Sequence, residues 1–178
     1  MNPVDTNGWS FPADVPGWLD EPQARLLAEL ARGKKVLELG TYCGKSAISM
    51  AQTATSLVSV DWHRPTEKFP KGGTLERLQA ELIRYGVQDR VTVLVGAVAE
   101  VLPWLAPRQF GLLFQDAGHS EQDVAGDLAG ATRLLKPGGS WAIHDYTHGQ
   151  YPGVRRAVDR FFQGGGSVEL IHGMAIVR

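Results

Sequence analysis

The chain has 178 residues, 43% hydrophobic and 21% charged, with a formal net charge of -1, which suits one domain with a substantial core and excludes a disordered or fibrous chain. Its balanced charge, without a basic cluster, argues against nucleic acid or an anionic membrane as partner. A lone cysteine, Cys43, excludes an intramolecular disulfide framework, and no apolar run reaches the roughly 18 residues of a membrane span, so a cytoplasmic protein without a leader is the expectation.

Residues 1–19, MNPVDTNGWSFPADVPGWL, are rich in Pro and Gly and carry no sustained period, so they read as an irregular arm. Trp9, Phe11 and Trp18 are costly to leave in water, and the arm either packs over the domain or covers a pocket. Asp20 can cap a helix whose first turn suits Pro22 and whose apolar stripe is Leu26, Leu27 and Leu30. An alternation then begins. KVLEL (35–39) predicts a strand and 44–53 a helix; SLVSVD (56–61) predicts a strand, followed by a loop with Pro65, Pro70 and Gly72–Gly73. A helix over 75–85 has Leu75, Leu78 and Leu82 on one face. VTVLVG (91–96) reads as a strand, 98–105 as a short helix, FGLLFQD (110–116) as a strand and 121–135 as a helix. GSWAIHD (139–145) reads as a strand and 153–163 as a helix, and 167–172 and 174–178 are short strands around Gly173.

Strands alternating with helices imply an α/β fold, a parallel sheet covered on both faces, because parallel strands need crossover connections. The last pair, joined only around Gly173, is expected to be antiparallel. No repeat or second domain is visible, so residues 1–178 read as a single domain.

Ligands of such sheets bind beyond the carboxyl ends of the strands. There the sequence places Glu38–Gly40, Asp61, Gly96, Asp116 and His144–Asp145. Gly40 and Gly44 flank Thr41-Tyr42-Cys43, a turn that permits positive φ and close backbone approach. The spacing is not G-x-G-x-x-G, and a carboxylate at Glu38 suits a ligand ammonium better than a pyrophosphate. Asp61 can accept hydrogen bonds from both hydroxyls of a ribose. Ribose plus ammonium without pyrophosphate points to S-adenosylmethionine. The alternatives are an ion pair of Glu38 with Lys34, Lys35 or Lys45, and a turn-capping role for Asp61.

VLELGTYCGKSAISMA (36–51) resembles the first motif of class I S-adenosylmethionine-dependent methyltransferases, in the version of catechol O-methyltransferase-like enzymes. The resemblance extends through Asp61, VGA (95–97), FQDAGHS (114–120) and LLKPGGSWAIHDY (134–146), and DAGHSEQDVAGDL (116–128) followed by LKPGG and HDY also resembles small-molecule and sugar O-methyltransferases. It implies a Rossmann-like sheet of seven strands with the last antiparallel. It further implies that Glu38, Gly40, Thr41, Tyr42 and Ser46 hold the methionine part of the cofactor. Asp61 would bind the ribose, Trp62 would stack on the adenine, and Gly96 and Ala97 would border it. Val98 stands where the family often has a hydroxyl.

By the same resemblance, Asp116 ends a strand as a metal or substrate ligand and His119, three residues on, is the general base where catechol-type enzymes have a lysine. A histidine titrates near neutral pH and suits that role. Asp145 would meet Asp116 if their strands are neighbours, and two converging carboxylates call for a cation or a proton. Oxygen ligands suit Mg²⁺. The family's third ligand is missing, Tyr146 is a poor substitute, and His144 would favour a softer divalent metal such as Zn²⁺ or Mn²⁺. Without a metal, Asp145 would orient His119 or bind substrate. Gln115 is either a core amide or a site residue. His148 is expected on a surface loop, and a nucleophilic Cys43 would need a base and an activation that the sequence does not make evident.

The leading expectation is an S-adenosylmethionine-dependent methyltransferase acting on a small-molecule acceptor, by O-methylation. The acceptor pocket would come from the arm, the loop 62–73, the loop after Asp145, or a second subunit of a homodimer. The alternatives are a non-catalytic S-adenosylmethionine-binding module serving a partner protein and a nucleotide-dependent oxidoreductase. The D-x-x-H motif with Asp145 argues against the first, and Glu38 with the missing glycine spacing against the second.

Overall fold

The computed structural model describes residues 8–65 and 73–178; the expected loop features Pro70 and Gly72 and the first seven residues of the arm lie outside that range. Seven strands form one sheet: β1 (Lys35–Leu39), β2 (Ser56–Asp61), β3 (Val91–Val95), β4 (Phe110–Gln115), β5 (Leu135–Ile143), β6 (Val168–Ile171) and β7 (Met174–Val177). Their order is β3-β2-β1-β4-β5-β7-β6. The first five run parallel, and β7 is antiparallel to both of its neighbours. The expected mostly parallel, Rossmann-like sheet is therefore observed. His172 and Gly173 both take positive φ, which supplies the tight hairpin turn before β7.

Alternation along each strand splits the core between two faces. Leu37, Leu39 and Leu113 pack with Val124, Leu128, Val154 and Val158, from α5 (Glu121–Thr132) and α6 (Pro152–Phe162). Val36, Leu112 and Phe114 pack on the other face with Leu27 and Met50, from α1 (Glu21–Ala31) and α2 (Lys45–Ala51). A third cluster joins Val15, Cys43 and Ile48 to Leu78 and Leu82 of α3 (Gly73–Arg84). Each fully buried leucine contributes about 1.5–3 kcal/mol relative to exposure.

The arm packs over the domain at Trp9 and Phe11 but not at Trp18. Trp9 is buried and donates its indole N–H to the Ser49 carbonyl at 3.0 Å, while the Gln52 amide clasps the Ser10 backbone N–H and carbonyl. Trp18 instead is 82% exposed and leans on Tyr42 with ring centroids 5.2 Å apart. Asp20 caps α1 as expected, and Gln23 closes the reciprocal capping box.

Several boundaries differ from expectation. The helix over 98–105 is α4 (Val98–Val101) followed by a 3₁₀ turn, Leu102–Trp104, around Pro103, which has no N–H for an α-helical bond. Helix α5 stops at Thr132 rather than 135, because the Arg133 and Leu134 carbonyls accept from the amides of Arg108, Gln109 and Phe110. That pairing starts β5 at Leu135, and a register shift opposite Phe110 and Leu112 accommodates Lys136-Pro137-Gly138-Gly139. Strands β4 and β5 end at Gln115 and Ile143, so Asp116, His144 and Asp145 stand just beyond them.

Candidate active site

Beside the central pair β1 and β4 the chain order reverses, and the carboxyl ends of the strands open onto a crevice. It is a cavity of about 1040 Å³, at the upper end of the roughly 300–1,000 Å³ usual for small-molecule sites.

The glycine turn forms one wall. Gly40 has φ +88°, and a Cβ there would stand 2.3 Å from the Asp116 carbonyl oxygen. Glycine therefore lets this turn press against the end of β4, a requirement of backbone packing as much as of ligand approach. Asp61 Oδ2 accepts the backbone N–H of Thr41 and of Tyr42, each at 2.8 Å, and Oδ1 accepts that of His63 at 2.8 Å. The turn-capping alternative for Asp61 is thus realised, and with three of about four lone-pair sites engaged, little remains for two ribose hydroxyls in this arrangement. Tyr42 sits at φ 51° inside the clamp.

Glu38 alternates with Leu37 and Leu39, so it faces α2 and is fully buried. It pairs with none of the three lysines. Ser46 donates to Oε1 at 2.5 Å and Thr41 to Oε2 at 3.1 Å, with Ser59 hydrogen-bonded to Thr41 behind them. Burial pushes its carboxyl up to about 8 against the pull of these hydroxyls. Glu38 is the one predicted site residue that does not line the cavity; Gly40, Thr41, Tyr42, Ser46, Asp61, Trp62, Gly96, Ala97, Asp116, His119 and Asp145 all do. Trp62 is half-exposed with the Arg64 guanidinium 3.2 Å over its ring, and Val98 joins Gly96 and Ala97 at the wall.

Opposite the turn, four ionisable side chains converge because β4 and β5 are neighbours. His119 Nε2 lies 2.9 Å from Asp145 Oδ2 and 3.8 Å from Asp116 Oδ1. His144 Nδ1 lies 3.3 Å from Asp116 Oδ1 and 3.3 Å from Asp145 Oδ1. Asp145 takes φ 57°, a left-handed conformation that Asp tolerates better than most residues. The hydrogen bond to Asp145 holds His119 above the usual histidine range, with burial opposing. Burial raises Asp116 despite the imidazole beside it, and although it would also raise Asp145, the two histidines hold that carboxyl well below the ordinary range. Burial would lower His144, but the two carboxylates push it up to about 10. The opposite directions of the two aspartates are those of carboxylates sharing one compact site.

Asp116, His144 and Asp145 each offer a ligand atom within 4.8 Å of the others. His144 is 7% exposed, and its Nδ1, 3.3 Å from each carboxylate, makes no aligned hydrogen bond, leaving a position that a proton or a metal cation would fill. The set fits a divalent metal. Gln115 is a satisfied core amide, donating to the Gly118 carbonyl at 3.1 Å and to Asp127 Oδ2 at 3.4 Å. His148, expected on a surface loop, is exposed yet lines the cavity, stacked 4.9 Å from Tyr151, whose ring centroid is 4.3 Å from that of His119. Cys43 is fully buried in the α3 cluster. Sequence reasoning missed Asp127 and Gln23; Asp127 lies six residues after the Glu121 that opens α5, a position with no local signature.

This topology and crevice define a Rossmann-like fold with an acid and imidazole cluster at its switch point. The methyltransferase-domain family matches residues 37–146, and the chain belongs to that family. It is 34% identical over 127 residues to a catechol O-methyltransferase of Mycobacterium tuberculosis, covering 70% of this chain and 53% of that protein; the chain spans about half the length of that relative. An O-methyltransferase from Bacillus cereus, solved with S-adenosylhomocysteine, superposes with a TM-score of 0.72 at 19% identity, over 93% of this chain and 84% of that one. The O-methyltransferase TomG from Streptomyces achromogenes, involved in tomaymycin synthesis and solved with S-adenosylmethionine, gives 0.69 at 23% identity, over 90% and 80%. Among the described residues no helix is long and apolar enough to cross a membrane.

Proposed function

We propose that this chain transfers the methyl group of S-adenosylmethionine to a hydroxyl of a small molecule. One observation carries the reading: a single cavity joins the glycine turn at Gly40–Tyr42 to the His119–Asp145 pair, so donor and base share one space. Ser46 and Thr41 line the methionine end of the cavity, their hydroxyls held back on the buried Glu38. Trp62, Gly96 and Ala97 form the adenine wall, and the ribose lies by Asp61.

Asp145 accepts from His119 Nε2, and Nδ1 of that ring has no hydrogen-bond partner among the described residues. His119 therefore takes the acceptor's hydroxyl proton at Nδ1, and Asp145 stabilises the imidazolium that results. The oxygen attacks the methyl carbon in line, and the C–S electron pair stays on sulfur, turning the sulfonium into a neutral thioether. Asp116, His144 and Asp145 would hold the divalent metal, which supplies Lewis acidity that lowers the hydroxyl's pKa. In a metal-free version Asp145 orients His119, as its 2.9 Å contact supports.

The catechol relative makes catechols the first acceptors to test. Purified protein is incubated with S-adenosylmethionine and hydroxylated aromatic and sugar acceptors, with and without divalent ions, and S-adenosylhomocysteine and methylated product are measured by mass spectrometry. Product that disappears in His119→Ala supports the reading. Cofactor binding that is unchanged in His119→Ala, with no turnover of any acceptor by the unaltered chain, favours the non-catalytic binding module.

A further inference from the structure

The orientation of His144 is set from outside the cluster, by the first helix. The Gln23 amide cannot turn over without loss: its Nε2 donates to the His172 carbonyl at 2.9 Å, and its Oε1 accepts the Asp20 backbone N–H at 3.2 Å in the capping box. That same Oε1 stands 3.2 Å from His144 Nε2. An amide oxygen only accepts, so the hydrogen lies on Nε2. The Phe114 ring, edge-on at 6.4 Å, holds the imidazole from another side. In the neutral ring, Nδ1 then carries a lone pair, buried and without a hydrogen-bond partner, aimed at the position between the two carboxylates. A cation bound there would meet lone pair and carboxylates together, replacing the proton that Nδ1 holds between them when no metal is bound.

We propose that Gln23 is a positioning residue that fixes His144 as an Nδ1 metal ligand, and that the Asp116–His144–Asp145 centre therefore selects a first-row transition-metal ion, Co²⁺ above all and Mn²⁺ less strongly, over Mg²⁺. The inference rests on the metal-assisted form of the methyltransferase reading. An imidazole ligand is what an all-oxygen Mg²⁺ site lacks, and Mg²⁺ gives up its waters for nitrogen reluctantly. A hydrogen-bonded outer group on the far ring nitrogen fixes the tautomer and direction of a ligating histidine, and its loss typically weakens metal affinity about 10–100-fold.

The test is calorimetric titration of chelator-stripped full chain with MnCl₂, CoCl₂ and MgCl₂, beside the thermal shift produced by S-adenosylhomocysteine. Co²⁺ is expected to bind at least about tenfold more tightly than Mg²⁺, and Mn²⁺ more tightly by a smaller factor. His144→Asp, which restores an all-oxygen set, should collapse that preference. Gln23→Met, which removes the acceptor, should weaken Co²⁺ about 10–100-fold, while Gln23→Glu, which keeps an acceptor oxygen, should retain most of the affinity. In Co²⁺-loaded protein, Nδ1 ligation also predicts a paramagnetically shifted, exchangeable Nε2–H resonance that His144→Asp abolishes. Equal affinity for Mg²⁺ and Co²⁺, or a Gln23→Met isotherm matching wild type, overturns the proposal. So does the failure of all three ions to bind protein that still responds to S-adenosylhomocysteine, which makes His144 an imidazolium and leaves the donor-site reading intact. Loss of the S-adenosylhomocysteine response in the unaltered chain would instead strike at the methyltransferase reading itself.

Discussion

His119 Nε2 and Asp145 Oδ2 face each other at 2.9 Å across two adjacent strand ends, one residue from the loop after β4 and the other held in a left-handed turn after β5. The contact commits Nε2 of His119 to the carboxylate and, in the proposed reaction, leaves Nδ1 for the acceptor. His119→Ala should lower kcat about 10²–10⁴-fold while leaving the affinity for S-adenosylhomocysteine within about twofold, read by steady-state kinetics and calorimetry. Because Asp145 raises His119 above the usual histidine range, the rising limb of the pH–rate profile should lie above about 6.5, since the base acts deprotonated. Asp145→Asn should move that limb to lower pH. A limb that stays in place would separate the two residues' roles.

Asp61 holds the glycine turn through the amides of Thr41 and Tyr42 and also accepts that of His63. Asp61→Ala leaves those donors without their acceptor and should destabilise the protein by about 2–4 kcal/mol, seen in denaturant unfolding. Asp61→Asn keeps one acceptor oxygen and should lose less. If the carboxylate also reaches the ribose, S-adenosylhomocysteine affinity in Asp61→Asn should fall further than its stability; equal, small losses would confine Asp61 to the turn.

Gly40 has the most exacting environment of the turn, with positive φ and the Asp116 backbone where a Cβ would go. Gly40→Ala should cost at least about 2 kcal/mol and displace the end of β4. Turnover should drop with it, because Asp116 moves with its own carbonyl. A variant with wild-type stability and rate would show that the turn yields where the geometry says it does not.

Two buried carboxyls give the stability a definite pH dependence. Glu38 is raised from 4.5 to about 8 and Asp127 from 3.8 to about 6, both chiefly by burial. Between each pair of values the folded chain binds more protons than the unfolded one. The stabilisation is therefore full below the lower value and is lost as pH rises through the higher. Asp127→Asn keeps an acceptor for Gln115 and should be more stable than wild type near neutral pH by about 1–3 kcal/mol. That gain should vanish below about pH 4, and the wild-type slope between about pH 4 and 6 should flatten. Glu38→Gln should flatten the slope between about 4.5 and 8. Denaturant unfolding across pH reads both.

The sheet was legible because its signals are local: each central strand is a short apolar run, and each is followed by a helix stripe. Asp116 and Asp145 were legible because the fold rule assigns strand ends to the ligand and they stand just past β4 and β5, whereas His119, in the loop after β4, was legible only through the family resemblance of its D-x-x-H motif. What escaped depends on pairing across the chain. Gln23 meets His144 over a separation of 121 residues, and nothing near Gln23 announces it as more than a cap. The seclusion of Glu38 required Ser46, Thr41 and Ser59 to gather over it from three elements. The early start of β5 followed from amides at 108–110 competing for the end of α5, an outcome that helical periodicity alone does not contain. Asp61 shows a different limit: its position was predicted, but whether its oxygens serve backbone or ligand depends on the shape of the turn.

The central claim is that the cavity beneath the glycine turn takes S-adenosylmethionine. Thermal unfolding with S-adenosylhomocysteine, with NAD as control, tests it most directly. At 100 times its dissociation constant a native-state ligand stabilises by about 2.7 kcal/mol, which for a domain of this size raises the midpoint by roughly 5–10 °C. The account predicts that rise with S-adenosylhomocysteine and none with NAD. No rise at saturation, or a rise with NAD instead, would contradict it.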